Sequence, residues 1–131
     1  MNDQFDTIAA IATAPGEAGI AIIRISGAKS LAVADRIFSH GGAPPSCQPP
    51  SAFTRGLIKS NEHVLDEVIL LVMRAPHSYT REDVVEIQCL LIRQPEIRVE
   101  PHAREHLHLV FFAAFGVLDQ NTRAVTVAAL R

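Results

Sequence analysis

Cysteine is scarce: Cys47 sits in a proline-rich segment and Cys89 at the end of an apolar run, and no others occur. Two thiols so placed make neither a metal-ligand spacing nor a disulfide framework, and they fit a reduced, cytoplasmic setting. Basic charge is not in excess either, since twelve Lys and Arg face fourteen Asp and Glu for a formal charge of -2. That balance excludes a broad basic face, and with it strong non-specific nucleic-acid binding by this chain alone. No apolar run reaches about 18 residues, and MNDQFD offers no basic region ahead of an apolar one, so neither a membrane span nor a secretory signal is expected. The phosphate-loop pattern G-x-x-x-x-G-K-[ST] is missing, which excludes that type of nucleotide site. The order HExxH is missing too. His102 and His106 stand four apart near Glu105 and His108, but Pro101 precedes them and no third ligand has regular spacing, so they read as surface histidines and no metal is expected. There is no internal repeat, and 131 residues suffice for one domain with its own core.

What the sequence does have is a dense apolar stretch at residues 7–27, TIAAIATAPGEAGIAIIRISG, with one charge inside it. TIAAIAT reads as a strand of small residues, Pro15-Gly16 as a turn, and Ile20 to Ile25 as a second strand covered on both faces. Arg24 lies within that strand. A guanidinium there needs a partner, because a buried charge without one is costly and this group cannot shed its proton. Glu86 of DVVEIQ, itself a charge inside a β-branched run, is the side chain available, the alternative being a ligand.

Between these two charges the order of elements is readable. KSLAVADRIF predicts a helix with Leu31, Ala34 and Phe38 facing a sheet and Ser26 or Ser30 as its N-cap. SHGGAPPSCQPPS predicts an irregular connector. Residues 53–58 and 66–73 predict two strands joined by the turn Lys59-Ser60-Asn61-Glu62-His63, the second apolar on both faces and so central in the sheet. RAPHSYT reads as a loop and residues 84–89 as a further strand. Ser78, Tyr79 and Thr80 read as turn or capping residues ahead of Glu82-Asp83 and are left outside the site. Cys89 reads as a small buried residue, not a nucleophile. From Leu90 the pattern changes: Pro95 and Pro101 interrupt it, residues 107–112 form an apolar, β-prone window, and residues 122–130 are weakly helical.

Taken together, DTIAAIATAPGEAGIAIIRISG and LDEVILLVMRAPHSYTREDVVEIQC resemble the N-terminal domain of the tRNA-modifying GTPase family called MnmE or TrmE. The resemblance runs from Asp6 to Cys89. It implies an α+β domain, a mixed β-sheet of about five strands with helices packed on it, that binds a formyl-tetrahydrofolate and forms a homodimer. It also implies a larger protein with helical and GTP-hydrolysing domains, working in the cytoplasm with a flavin-dependent MnmG/GidA-type partner on the wobble uridine of tRNA. The family's folate-contacting arginine and glutamate fall on Arg24 and Glu86. A carboxylate can grip the ring N–H and adjacent amino group of a pterin with two parallel hydrogen bonds, and an arginine can donate to the ligand's carbonyl, formyl or glutamate oxygens. The cofactor so implied is 5-formyltetrahydrofolate, and no residue of this chain is expected to be catalytic.

The sequence departs from the family at three places. Glu17-Ala18-Gly19 stands where arginine and two glycines are usual, and Arg81 where a glycine is usual, which predicts a stiffer or differently bent loop. After Cys89 the family's His-Gly-Gly and a later folate-contacting lysine are missing. The expected division is therefore an incomplete folate-binding unit over 1–89 and a divergent tail over 90–131, as a truncated or frameshifted copy would give. The rival expectations are a non-catalytic dimerisation or structural module without a working ligand site, and a free-standing enzyme built on the histidine-rich tail. A resemblance to the aminomethyltransferase of glycine cleavage is the weaker match.

Overall fold

The computed structural model describes residues 7–13, 19–60, 62–90, 92–93 and 98–99. Strand β1 (Ile8–Ile11) runs antiparallel to β2 (Ile20–Ser26), and helix α1 (Ser30–Ile37) follows. A short strand β3 (Phe38–Ser39) and a single 3-10 turn (Pro45–Cys47) lead to the long hairpin of β4 (Phe53–Ser60) and β5 (His63–Met73). Strand β6 (Val84–Leu90) closes the sheet, whose order is β1-β2-β6-β5-β4-β3. Beyond it, β7 (Ile92–Arg93) and β8 (Arg98–Val99) pair with each other as a separate two-residue ladder.

The α+β class expected from the sequence is the one observed, with differences in detail. The sheet has six strands, every pairing in it is antiparallel where a mixed sheet was expected, and the described residues hold one α-helix. The sixth strand is β3: Phe38, expected on the inward stripe of the helix, has left it for extended backbone and pairs with Ile58. It is still buried, so the same apolar side chain serves the core from a different element. The hairpin strands extend to Ser60 and His63, into residues read as turn, because ladder bonds continue past a register shift at Ile58/Lys59. Residues 39–51 are more ordered than their prolines suggest. Asp35 accepts from the backbone N–H and hydroxyl of Ser46 (2.9 and 2.6 Å), and Ser51 donates to the carbonyl of Val72 (2.8 Å).

Side chains alternate across each strand, so the register assigns the faces. Ala9, Ile23, Ile25, Ile87, Val85, Leu70, Val72 and Ile58 are buried on the face that α1 covers with Leu31, Val33, Ala34 and Ile37. Gly56 is required at one point of close approach: a Cβ there would lie 2.5 Å from the Phe38 ring and 2.7 Å from the Ser39 carbonyl oxygen, so a side chain would push β3 off β4. The opposite face is open. Ile20 is 49% exposed and Ile69 42%, which corrects the expectation that β2 and β5 are covered on both sides.

The serines expected to cap the helix do other work. Ser30 is inside the first turn and donates its hydroxyl to the Asp83 carbonyl (2.9 Å), while the backbone N–H of Lys29 is taken by the Thr7 hydroxyl (2.9 Å). Ser26 belongs to the site on the open face. The expected apolar window at residues 107–112, the weak helix at 122–130, the histidines of the tail and the Pro15-Gly16 turn lie outside the described residues.

Candidate functional site

Strands β2 and β6 pair in a register that sets Arg24 directly opposite Glu86. Across the open face, the same row runs Phe53–Leu71–Glu86–Arg24–Ala10, a pair of opposite charges flanked by apolar side chains on both sides. The sequence-level choice of Glu86 as the partner is thus realised. Arg24 donates from Nε (2.9 Å) and from a terminal nitrogen (2.6 Å), both to Oε1 of Glu86. The carboxylate is nearly enclosed and the guanidinium is not, their side chains being 7% and 34% exposed.

This geometry leaves hydrogen-bonding capacity unused on both partners. Glu86 Oε2 has no partner among the described residues, yet no unpartnered side-chain oxygen is sealed from solvent. It follows that Oε2 reaches water. Of the five guanidinium N–H groups, two are used in the hydrogen bonds to Glu86, and the rest of this one-third-exposed side chain has no hydrogen-bond acceptor among the described residues. An acceptor and a set of donors therefore sit side by side at the surface on an apolar floor, the composition usual for a small-molecule site.

The loop 74–83 forms the wall of this site, and its motif residues explain themselves once seen. Ser26 Oγ lies 2.8 Å from Glu82 Oε2 and 2.7 Å from Thr80 Oγ1. A hydroxyl has one hydrogen to give and Glu82 can only accept, so Ser26 donates to Glu82 and Thr80 donates to Ser26. Ser78 donates to the Glu82 carbonyl (2.5 Å), and Asp83 Oδ1 accepts from the Ala75 N–H (2.9 Å) with Arg74 Nε at 3.7 Å. The Ser-Gly that ends β2 and the Ser-Tyr-Thr-x-Glu-Asp ahead of β6 are one hydrogen-bonded cluster. Arg81 adopts φ 63°, the left-handed region where glycine is at ease. The departure from glycine noted in the sequence therefore falls at a position whose backbone favours glycine.

Ser78 and Thr80 are the turn residues that their place ahead of Glu82-Asp83 predicts. Tyr79, read with them as a turn residue, is different. Its ring lies with the Arg24 guanidinium carbon 5.0 Å from its centroid, a cation–π contact, while 76% of the residue is exposed. The available signal was its position between two hydroxyl residues that fasten the loop on either side.

One row along the open face, Ile20, Ile69 and Gln88 line a depression of about 250 Å³, rimmed by Arg55 and Glu67. Arg24 and Glu86 do not line it. The Arg55–Glu67 pair (2.6 Å) is exposed on both sides and so contributes little. Cys89, 1% exposed, has its thiol pushed up to about 12, first by burial and then by the negative charge of Asp66. It is inert at neutral pH. The described residues hold no group of three or more His, Cys, Asp or Glu that could bind a metal, and none of their helices is long and apolar enough to cross a membrane.

Comparison with known proteins places this sequence in a family. A family model described as GTP-binding protein TrmE N-terminus matches residues 7–91. The chain is 51% identical over 84 residues to the tRNA modification GTPase MnmE of Chlamydia caviae, a match covering 64% of this chain and 18% of that protein. It is 54% identical over 85 residues to the protein of the same name from Clostridioides difficile, covering 64% of this chain and 18% of the relative. With the corresponding protein of Exiguobacterium sibiricum the identity is 41% over 110 residues, covering 73% of this chain and 24% of the relative. The chain thus spans about a fifth of the length of the curated relatives it matches. Since the family model covers well over half of the sequence, including β1 to β6 and both charged partners, the chain belongs to the family of the TrmE N-terminus.

Proposed function

We propose that residues 1–89 are the folate-binding, self-associating N-terminal unit of a tRNA modification GTPase of the MnmE/TrmE type. Arg24 and Glu86 are its polar contacts to 5-formyltetrahydrofolate, and it has no catalytic residue of its own. The observation that supports this is the pairing of Arg24 with Glu86 on the open face, with Oε2 and the outer guanidinium N–H groups accessible. The residues fit the ligand's chemistry. Oε2 can accept from the N–H edge of a pterin, the outer donors of Arg24 can meet its carbonyl or formyl oxygens, and Leu71 and Phe53 extend an apolar surface beside them. When bound, the folate would carry the one-carbon unit for wobble-uridine modification. The chemistry itself falls to the rest of the larger protein, to the flavin-dependent MnmG/GidA-type partner and to tRNA. Ile8, Ile20, Ile69 and Phe53, all exposed on this face, are the surface a second copy of the domain would cover.

A second reading is favoured by the carboxylate's enclosure. Glu86, 5% exposed, already has one oxygen satisfied twice by Arg24, as a purely structural ion pair would be. In that reading the domain is a non-catalytic dimerisation module with no working ligand site. Isothermal titration of the 131-residue chain with 5-formyltetrahydrofolate decides between them. Saturable heat that disappears in both Arg24→Ala and Glu86→Ala supports the ligand site. No heat from the unaltered protein at high ligand concentration refutes it and leaves the structural module.

A further inference from the structure

Tyr79 is an anomaly by the usual logic of burial. It is the chain's one tyrosine, and it is 76% exposed. Its backbone is nevertheless held firmly. Ser78 on one side donates to the Glu82 carbonyl, and Thr80 on the other donates to Ser26, which is itself 9% exposed and bound to Glu82. Both neighbours of the ring are thus tied down, Ser78 within the loop and Thr80 to the end of β2. Ser26 is two residues from Arg24 on the same face of β2, so the anchor sets the Tyr79 backbone beside the charge pair. The Arg24 guanidinium carbon stands over the face of the ring, 5.0 Å from its centroid.

We propose that Tyr79 is the stacking residue of this site, its ring meeting the flat face of a planar heteroaromatic ligand whose polar edge is held by Glu86 and Arg24. The inference rests on the folate reading and deepens it, naming the group that recognises the ligand's plane as distinct from its edge. The division of labour is chemically sensible. Edge hydrogen bonds select a ring N–H next to an amino group, while stacking is indifferent to those atoms and adds affinity for any flat ring. The Arg24–ring separation of 5.0 Å is too short to admit a ring between them, since two stacked contacts need about 7 Å. Tyr79 therefore turns about its own side-chain bonds off Arg24, while the anchored backbone stays in place.

The test is titration of the full chain and its Tyr79→Phe and Tyr79→Ala variants with 5-formyltetrahydrofolate, read by calorimetry. Tyrosine emission is followed in parallel and, with no tryptophan in the sequence, reports Tyr79 alone. The expected result is affinity kept within about 3-fold in Tyr79→Phe and lowered roughly 5- to 100-fold in Tyr79→Ala. Ligand should also quench the emission of the unaltered protein more than that of free tyrosine amide at equal absorbance. Tight binding by the unaltered protein that Tyr79→Ala retains would overturn this inference while leaving the folate site standing. No binding by the unaltered protein would overturn both. Circular dichroism confirms that each variant is folded, and an exposed side chain on an anchored loop gives no reason for it not to be.

Discussion

The charge pair on the open face should be strongly asymmetric in what each half costs to remove. Truncating Arg24 to alanine leaves a carboxylate that is 7% exposed with its main partner gone. For a fully buried pair such a loss costs about 3–5 kcal/mol. Here Oε2 reaches water, which lowers the figure to about 2–3 kcal/mol. Truncating Glu86 leaves a guanidinium already one-third exposed, which can turn outward, at about 1–2 kcal/mol, part of it lost packing. Because each single change strands the other group, the double variant should cost less than the sum, with a coupling of about 1–2 kcal/mol. Urea unfolding followed by circular dichroism measures all three. Arg24→Ala should move the midpoint down by about 1–2 M, given the usual slopes for a domain of this size. The exposed Arg55–Glu67 pair is the internal control, with a coupling under about 0.5 kcal/mol. If the Arg24 and Glu86 effects simply add, or if Glu86→Ala is the more damaging change, the account of a carboxylate held in place by its arginine is wrong.

Three further outcomes follow from the structure. Replacing Arg81 by glycine should stabilise the domain by about 0.5–1 kcal/mol, because φ 63° strains a residue with a Cβ; a lowered urea midpoint in Arg81→Gly would show that the side chain contributes more than the strain removes. Alkaline pH should weaken the fold through Cys89: its thiol ionises near 9.0 when unfolded and only near about 12 when folded. Above pH 9 the unfolded state therefore releases its proton first, and stability should fall by about 1.4 kcal/mol per pH unit up to about pH 12. Cys89→Ala should flatten that slope, and an unchanged slope in this variant would assign the alkaline loss to other groups. At neutral pH a thiol reagent should label the exposed Cys47 and spare Cys89 until the protein unfolds.

The parts of the fold legible in the sequence are those set by local pattern. β-branched runs mark β2, β5 and β6, helical spacing marks α1, and Arg24 and Glu86, two charges embedded in such runs, point to each other. Less legible were features that depend on which elements come to lie side by side. Phe38 looks helical by spacing, and only the approach of β4 at Gly56 pulls it into an edge strand. Ser26 and Ser30 look like caps, because nothing local announces that residues 80–83 will arrive to use both hydroxyls. The openness of the second face was misjudged for the same reason, since a run of isoleucines looks alike whether or not another layer covers it. Tyr79 is illegible for a simpler reason, since a lone tyrosine in a loop carries no period to read.

The position of β6 in the sheet has a bearing on how the chain matures. Strand β6 is the last of the six to be made, yet it lies between β2 and β5 and touches both along nearly its whole length. Until it emerges, the β1–β2 hairpin and the β3–β4–β5 unit are separate pieces with naked edges turned toward each other, each able to recruit a strand from elsewhere. In the finished sheet one seven-residue segment bridges the two halves and sets Glu86 opposite Arg24. A nascent chain halted a few codons short of Val84 would hold most of the core residues but lack the strand that joins the two halves of the sheet.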